Sequence, residues 1–171
     1  MTPADKIRAL AAELESVHTG GDAYFTALDA RLTTPQYIDV VQSLFDPVPH
    51  NVVVTGKFGA YIYGLVLANQ LPFTGEFLWF NGGLRHKAGY AHLLGFLGEE
   101  SRLSDYTFID DSLYSGKTML AISGALNQRG DGYIKHVRVV YDGSIVRPDN
   151  VATFTCVHRY HEQPLSGTSI A

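Results

Sequence analysis

From residue 51 onward, short β-branched or aromatic runs alternate with stretches of helical periodicity, and this alternation leaves few folds open. Val52-Val53-Val54 is bounded by turn residues, as a strand buried on both faces is. Glu76 to Phe80, Tyr106 to Ile109, Ile134 to Tyr141 and Thr153 to His158 read as further strands. Helices are predicted over 59–70 and over 115–128, the second ending at Gly130. The pattern predicts an α/β fold of three layers, with a mainly parallel central sheet flanked by helices. Residues 81–104 fit neither period, because glycines and mixed charge surround the apolar stretch AHLLGFL.

The first fifty residues read differently. Thr2, Pro3 and Asp5 suit a helix start, and Ile7, Leu10, Leu14 and Val17 follow at helical spacing. A short helix is predicted over 22–31. Pro35 opens another, with Tyr37, Val40, Val41 and Leu44 on one face, and Asp46-Pro47-Val48-Pro49 ends it. At 171 residues the chain is expected to be a single domain, with a helical segment over 1–50, a core over 51–145 and a C-terminal strand and tail over 146–171. An apolar content of 46% allows a sizeable core. A net charge of −4 argues against a broad nucleic-acid surface. The single cysteine, Cys156, excludes an internal disulfide and a Cys-based zinc cluster, and its apolar neighbours predict a buried structural thiol. No apolar run approaches the roughly 20 residues of a membrane span. The charged N-terminal stretch lacks a secretory apolar region. A soluble, cytoplasmic protein is expected.

In a parallel sheet, ligands sit beyond the carboxyl ends of the strands. Three glycine-bearing polar loops meet that condition: 55–60, 81–90 and 110–118. The third belongs to the stretch YTFIDDSLYSGKTM, residues 106–119. Its Ser-Gly-Lys-Thr suggests a phosphate loop of the nucleotide-triphosphate kind, but Asp111 stands where that motif requires its first glycine. Two carboxylates would also repel a triphosphate. Taken as it stands, the stretch has a strand that delivers Asp110 and Asp111, which can accept hydrogen bonds from sugar hydroxyls or hold a hydrated Mg²⁺. Ser115, Gly116, Lys117 and Thr118 then start a helix whose free N–H groups and hydroxyls can cradle one phosphate. Acids for sugar hydroxyls beside a cradle for phosphate describe a ribose 5-phosphate.

Residues 108–119, FIDDSLYSGKTM, resemble the phosphoribosyl pyrophosphate (PRPP) motif of type I phosphoribosyltransferases. That motif is an apolar strand, two acids, three variable residues, Thr or Ser, Gly, any residue, then Thr, and every defined position is met. The segment FGAYIYGLVLA, 58–68, is similar to the corresponding part of the orotate enzymes, and the resemblance covers roughly 50–145 in order. It implies Mg²⁺ as cofactor and PRPP as substrate, with a nucleobase-like acceptor or nucleotide as the second ligand. Asp110 and Asp111 would hold the ribose hydroxyls directly or through the metal's waters. The 5-phosphate would sit on the segment Ser112, Leu113, Tyr114, Ser115, Gly116, Lys117 and Thr118. Pyrophosphate would meet the loop of Thr55, Gly56, Lys57, Phe58 and Gly59, with Lys57 supplying charge. Arg85, His86 and Lys87 match a mobile basic loop that closes over pyrophosphate. The family also carries a variable hood that binds the acceptor, expected here from the termini, and its members are commonly dimers or tetramers. No membrane or nucleic-acid partner is implied.

Two residues depart from the subfamilies. Tyr114 stands where hypoxanthine-guanine enzymes carry an acid that works on the purine, and a phenol with a pKa near 10 is a poor base at neutral pH. Tyr63 replaces a lysine of the orotate enzymes. The acceptor is therefore open. Arg159, His158 and His161 are polar enough for a site, although a solvated tail is the plainer expectation. Beside the enzyme reading stand a non-catalytic sensor or interaction module of the same fold and a small nucleotide kinase, the last weakened by Asp111.

Overall fold

The computed structural model describes residues 35–81, 92–98, 105–113, 116–130, 132–144 and 150–159. The helices expected over 3–17 and 22–31 lie outside the described residues, as do Arg85, His86, Lys87, Tyr114 and Ser115.

Nine elements follow in chain order. They are α1 (Pro35–Leu44), β1 (His50–Thr55), α2 (Gly56–Leu67), β2 (Thr74–Phe80), β3 (Leu93–Gly98), β4 (Asp105–Leu113), α3 (Lys117–Arg129), β5 (Tyr133–Asp142) and β6 (Thr153–Arg159). The strands form one six-stranded sheet in the order β3-β2-β1-β4-β5-β6. Pairing is parallel for β2–β1, β1–β4, β4–β5 and β5–β6, and antiparallel for β2–β3. The expected α/β architecture with a mainly parallel sheet is present. β6, from the C-terminal segment, extends this sheet as an edge strand.

Each face of the sheet is sealed by its own apolar cluster. On one face, Tyr37, Val40, Val41 and Leu44 of α1 and Phe58, Ile62 and Val66 of α2 pack over Val52, Val54, Phe77 and Ile109. On the other, Met119, Ile122, Ala125 and Leu126 of α3 pack over Val53, Leu78, Phe108, Val137 and Val139. Alternate residues of β1 thus serve opposite faces, which is why Val52, Val53 and Val54 are apolar without a break. Each fully buried side chain of this kind contributes roughly 1.5–3 kcal/mol. The α1 stripe is the one read from helical spacing, and all four of its residues are buried.

Four boundaries or burial states differ from the sequence reading. α2 begins at Gly56 rather than residue 59, directly after the last residue of β1. β4 continues to Leu113, so Asp110 and Asp111 stand within a strand and are buried, where exposed loop acids were expected. Residues 93–98 of the unassigned stretch form β3, whose glycines hid a strand from the alternation test. Cys156 is only partly buried, because β6 is an edge strand packed against the α3-side cluster.

A buried polar tie fixes the amino ends of the central strands. Glu76 is 1% exposed and accepts a hydrogen bond from the Tyr106 hydroxyl at 3.0 Å. Arg129, at the end of α3, approaches the same carboxylate at 3.7 Å, and the Asn51 side chain accepts from the Glu76 N–H at 2.9 Å. Among the described residues no helix is long and apolar enough to cross a membrane.

The glycines give a two-sided test of this packing. A Cβ at Gly98, whose φ is 87°, would run into the Gly75 carbonyl, whereas one at Gly124 on the exposed side of α3 would meet nothing within 4 Å. Gly98→Ala is expected to destabilise by about 1–3 kcal/mol. Gly124→Ala is expected to stabilise by about 0.5–1 kcal/mol. Urea denaturation measures both, and equal effects would contradict the β2–β3 packing described.

Candidate functional site

The strand order places β1 beside β4 at the centre of the sheet. From β1 the chain runs through α2 on one face to β2, and from β4 it runs through α3 on the opposite face to β5. The two connections leave neighbouring strands in opposite directions. Where two such connections part, outside the carboxyl ends of β1 and β4, α/β sheets generally place their ligand crevice. Val53 pairs with Phe108 across these strands. Continuing that register brings Thr55 level with Asp110.

The β1 side of the crevice is rigidly built. Gly56 has φ 68°, a conformation that only glycine adopts at little cost, and this lets strand pass into helix without a loop. The Trp79 indole N–H donates to the Gly56 carbonyl at 3.1 Å, and the Thr55 hydroxyl donates to the Asn81 carbonyl at 2.9 Å. A Cβ on Gly59 would lie 3.0 Å from the Trp79 ring, so this glycine lets α2 settle against β2. Phe58 is buried against Tyr37, edge to face with ring centroids 6.3 Å apart. Lys57 is exposed on the first turn of α2. At this turn Thr55 is buried and Lys57 exposed, and Phe58 and Gly59 also pack against neighbouring elements.

On the β4 side, Asp110 and Asp111 are 8% and 9% exposed. The Asp111 N–H donates to Asp110 Oδ1 at 2.9 Å. Burial pushes the Asp110 carboxyl well above the usual carboxylate range, and the Asp111 charge beside it pushes in the same direction. Two adjacent buried acids are a costly arrangement for folding alone, and such costs gather at sites with a ligand to satisfy. Ser112 is partly exposed, and Leu113 is buried in the α3-side cluster.

The start of α3 lies a few residues on. Gly116 caps it in the left-handed conformation, φ 78° and ψ 4°, with no side-chain cap and no acid in the first turn. A Cβ on Gly116 would meet nothing within 4 Å. Gly116 itself has no side chain to offer the first N–H groups of the helix. Lys117 is exposed and Thr118 partly buried. Paired acids and a glycine-started helix can together take a ligand with hydroxyls at one end and a phosphate at the other.

The sequence reading missed Asp142, Ser144 and the role of Arg159. Asp142 is wholly buried at the carboxyl end of β5, and Arg159, expected in a solvated tail, pairs with it at 2.9 Å. The signal lay in YDGS: an acid at the end of an apolar strand, followed by a turn, is placed to bind its own backbone two residues on. A groove of about 660 Å³, lined by His50, Asp105, Thr107, His136, Arg138 and Thr153 among others, opens near the amino ends of the strands. It is at the opposite end from the acid pair, and the crossing of connections at β1 and β4 favours the carboxyl end as the functional one.

No family model matches the sequence, and no curated protein does. Solved structures similar to the chain include a hypoxanthine phosphoribosyltransferase from Staphylococcus aureus, at 15% identity over 88% of this chain and 74% of that one, with a TM-score of 0.40. A hypoxanthine-guanine phosphoribosyltransferase from Bacillus anthracis shows 11% identity over 94% and 78%, with a TM-score of 0.42. An adenine phosphoribosyltransferase from Thermoanaerobacter pseudethanolicus shows 14% identity over 76% and 79%, with a TM-score of 0.42. Likeness at this level carries no argument about activity.

The acid pair makes stability depend on pH in a defined direction. Asp110 holds its proton more tightly in the folded chain than in the unfolded one, where its pKa is about 3.9. The folded state therefore binds more protons above that value. The contribution of this group to stability falls as pH rises from about 4 through the raised folded value. Asp110→Asn should remove this fall, so the variant's advantage over wild type should grow from pH 4 to pH 8 in thermal melts. An advantage that stays constant across that range would contradict the burial of the pair.

Proposed function

We propose that the chain is a phosphoribosyltransferase, transferring the 5-phosphoribosyl group of PRPP to a nitrogen of a purine- or pyrimidine-type base and releasing pyrophosphate. The observation that carries this reading is the buried Asp110–Asp111 pair, with Asp111 five residues ahead of the glycine that starts α3, where the connections from β1 and β4 diverge. The resemblance of FIDDSLYSGKTM to the PRPP motif supports the same assignment.

In this reading, the amides of Gly116, Lys117 and Thr118 and the Thr118 hydroxyl hold the 5-phosphate, together with the chain from Ser112 through Ser115. The helix start favours the phosphate charge over water. Asp110 and Asp111 hold the ribose 2- and 3-hydroxyls, which fixes the sugar ring over the crevice. Mg²⁺ fits the donor set. Two adjacent carboxylates are hard oxygen ligands, and among the described residues no group of three or more His, Cys, Asp or Glu gathers, so the ion would complete its shell with waters and PRPP oxygens. When bound, it neutralises the pyrophosphate oxygens. The bond from C1 to the pyrophosphate oxygen breaks with its electron pair on that oxygen. The base nitrogen's lone pair forms the new bond to C1, and the nitrogen's proton passes to solvent. Lys57 and the backbone from Thr55 to Gly59 meet the departing pyrophosphate, joined by Arg85, His86 and Lys87. The chain's contribution is positioning and charge stabilisation, with no protein nucleophile.

The sequence at Tyr114 favours one alternative: a member of the same fold that binds PRPP or a nucleotide as a sensor. Calorimetry with PRPP, with and without Mg²⁺, followed by a panel of bases and an assay for pyrophosphate, separates the two readings. Mg²⁺-dependent binding with release on one base is expected, and binding without release on any base would favour the sensor. The double variant Asp110→Asn/Asp111→Asn should stay folded and bind PRPP at least about tenfold more weakly, through loss of charge-assisted hydrogen bonds. Unchanged affinity in the folded double variant would sink the assignment.

A cytoplasmic homodimer completes this reading. The β3 edge is uncharged, with Leu94 52% and Phe96 38% exposed, a composition suited to strand pairing with a second copy. Sedimentation velocity should show a dimer that Leu94→Lys weakens; a wild-type monomer would overturn this part of the reading.

A further inference from the structure

At the carboxyl ends of β4, β5 and β6 the chain closes a rung that the reaction does not use directly. Leu113 pairs with Asp142, and Asp142 with Arg159, so the three residues stand side by side across the sheet. The Gly143 N–H donates to the Leu113 carbonyl at 2.8 Å, tying the β5 turn to the last residue of β4. Asp142 is 0% exposed. Its Oδ1 accepts from the Ser144 N–H at 3.0 Å, from the Ser144 hydroxyl, and from Arg159 Nη1 at 2.9 Å. Arg159 also donates to the Asp142 carbonyl at 3.2 Å and, through Nη2, to the Ser144 carbonyl at 2.6 Å. The guanidinium is 19% exposed and grips one carboxylate and two carbonyls around a single tight turn.

Leu113 stands two residues after Asp111 and three before Gly116. Whatever fixes Leu113 therefore fixes the end of the strand that carries the acids, from which the chain leads on to α3. We infer that Asp142, Ser144 and Arg159 form a clamp that sets the register between the acid pair and the start of α3. Arg159 is its positioning residue and touches no reacting atom. The planar fork of arginine suits this work, since one rigid group meets acceptors on two residues, and a lysine ammonium cannot reproduce that geometry. Buried charge here has a purpose beyond stability: an apolar pair would fill the space without holding the turn to one orientation.

The inference rests on the proposed PRPP site, and the experiment keeps the two separable. PRPP affinity is measured by calorimetry with Mg²⁺, well below each variant's melting temperature, beside thermal melts of wild type, Ser144→Ala, Arg159→Lys and Arg138→Lys. Arg138 is the control. It also lies on β5, but its Nη1 donates to the Leu44 and Pro47 carbonyls at 2.9 and 2.6 Å, capping α1 away from the acid pair. Arg138→Lys is expected to lower the melting temperature and leave PRPP affinity unchanged. Ser144→Ala removes one hydrogen bond of the clamp and should weaken PRPP binding about three- to tenfold in a folded chain. Arg159→Lys should weaken it by more than about tenfold while keeping its charge. Wild-type binding with unchanged affinity in both clamp variants would overturn the clamp and leave the PRPP site standing. A wild-type chain that binds no PRPP would overturn both.

Discussion

The architecture turns on the parting of two connections at the centre of the sheet. β1 and β4 are hydrogen-bonded neighbours, yet one sends its helix to the left-hand strands on one face and the other sends its helix to the right-hand strands on the opposite face. No helix can then cover the carboxyl ends of both strands. The polar backbone left there must meet water or a ligand, since buried N–H and C=O groups need partners. Both helices start at glycines with positive φ, 68° at Gly56 and 78° at Gly116, so both turn away sharply from the strand ends.

The acid pair makes sense only against that opening. Asp110 and Asp111 sit in a strand that is buried almost throughout, and folding alone would be better served by valines there. Burial and the neighbouring charge are a standing cost, expressed as an Asp110 carboxyl pushed well above the usual carboxylate range. A ligand that brings hydroxyls and a divalent ion would relieve that cost on binding. The clamp at Asp142 shows the opposite solution to the same problem. There a buried carboxylate is matched by an arginine and by its own turn, so its charge stabilises the local geometry.

Much of this was legible in the sequence because it rests on local rules. The apolar run Val52-Val53-Val54, the proline-opened stripe of α1 and the strand-acid-glycine-helix order of residues 106–119 each declare themselves within one element. What was not legible depends on neighbours. β3 escaped because Gly95 and Gly98 interrupt its alternation, and these glycines answer to Tyr63 and Gly75 on other elements. Gly59 makes room for Trp79, a contact between helix and strand that spacing does not reveal. The burial of the acids followed from β4 running to Leu113, and that extension is set by pairing with β5 out to Asp142. Arg159 was read as tail because its partner lies 17 residues back on a different strand.

The central claim is that a ribose phosphate binds at the carboxyl end of the sheet, between β1 and β4. The most direct measurement is an amide-resolved NMR titration of the chain with Mg²⁺–PRPP. The account predicts saturable shifts at Gly56, Lys57, Asp111, Gly116, Lys117 and Thr118, with the amino-end groove unmoved. Shifts confined to His50, Thr107, His136, Arg138 and Thr153 would place the ligand at the wrong end of the sheet and contradict it.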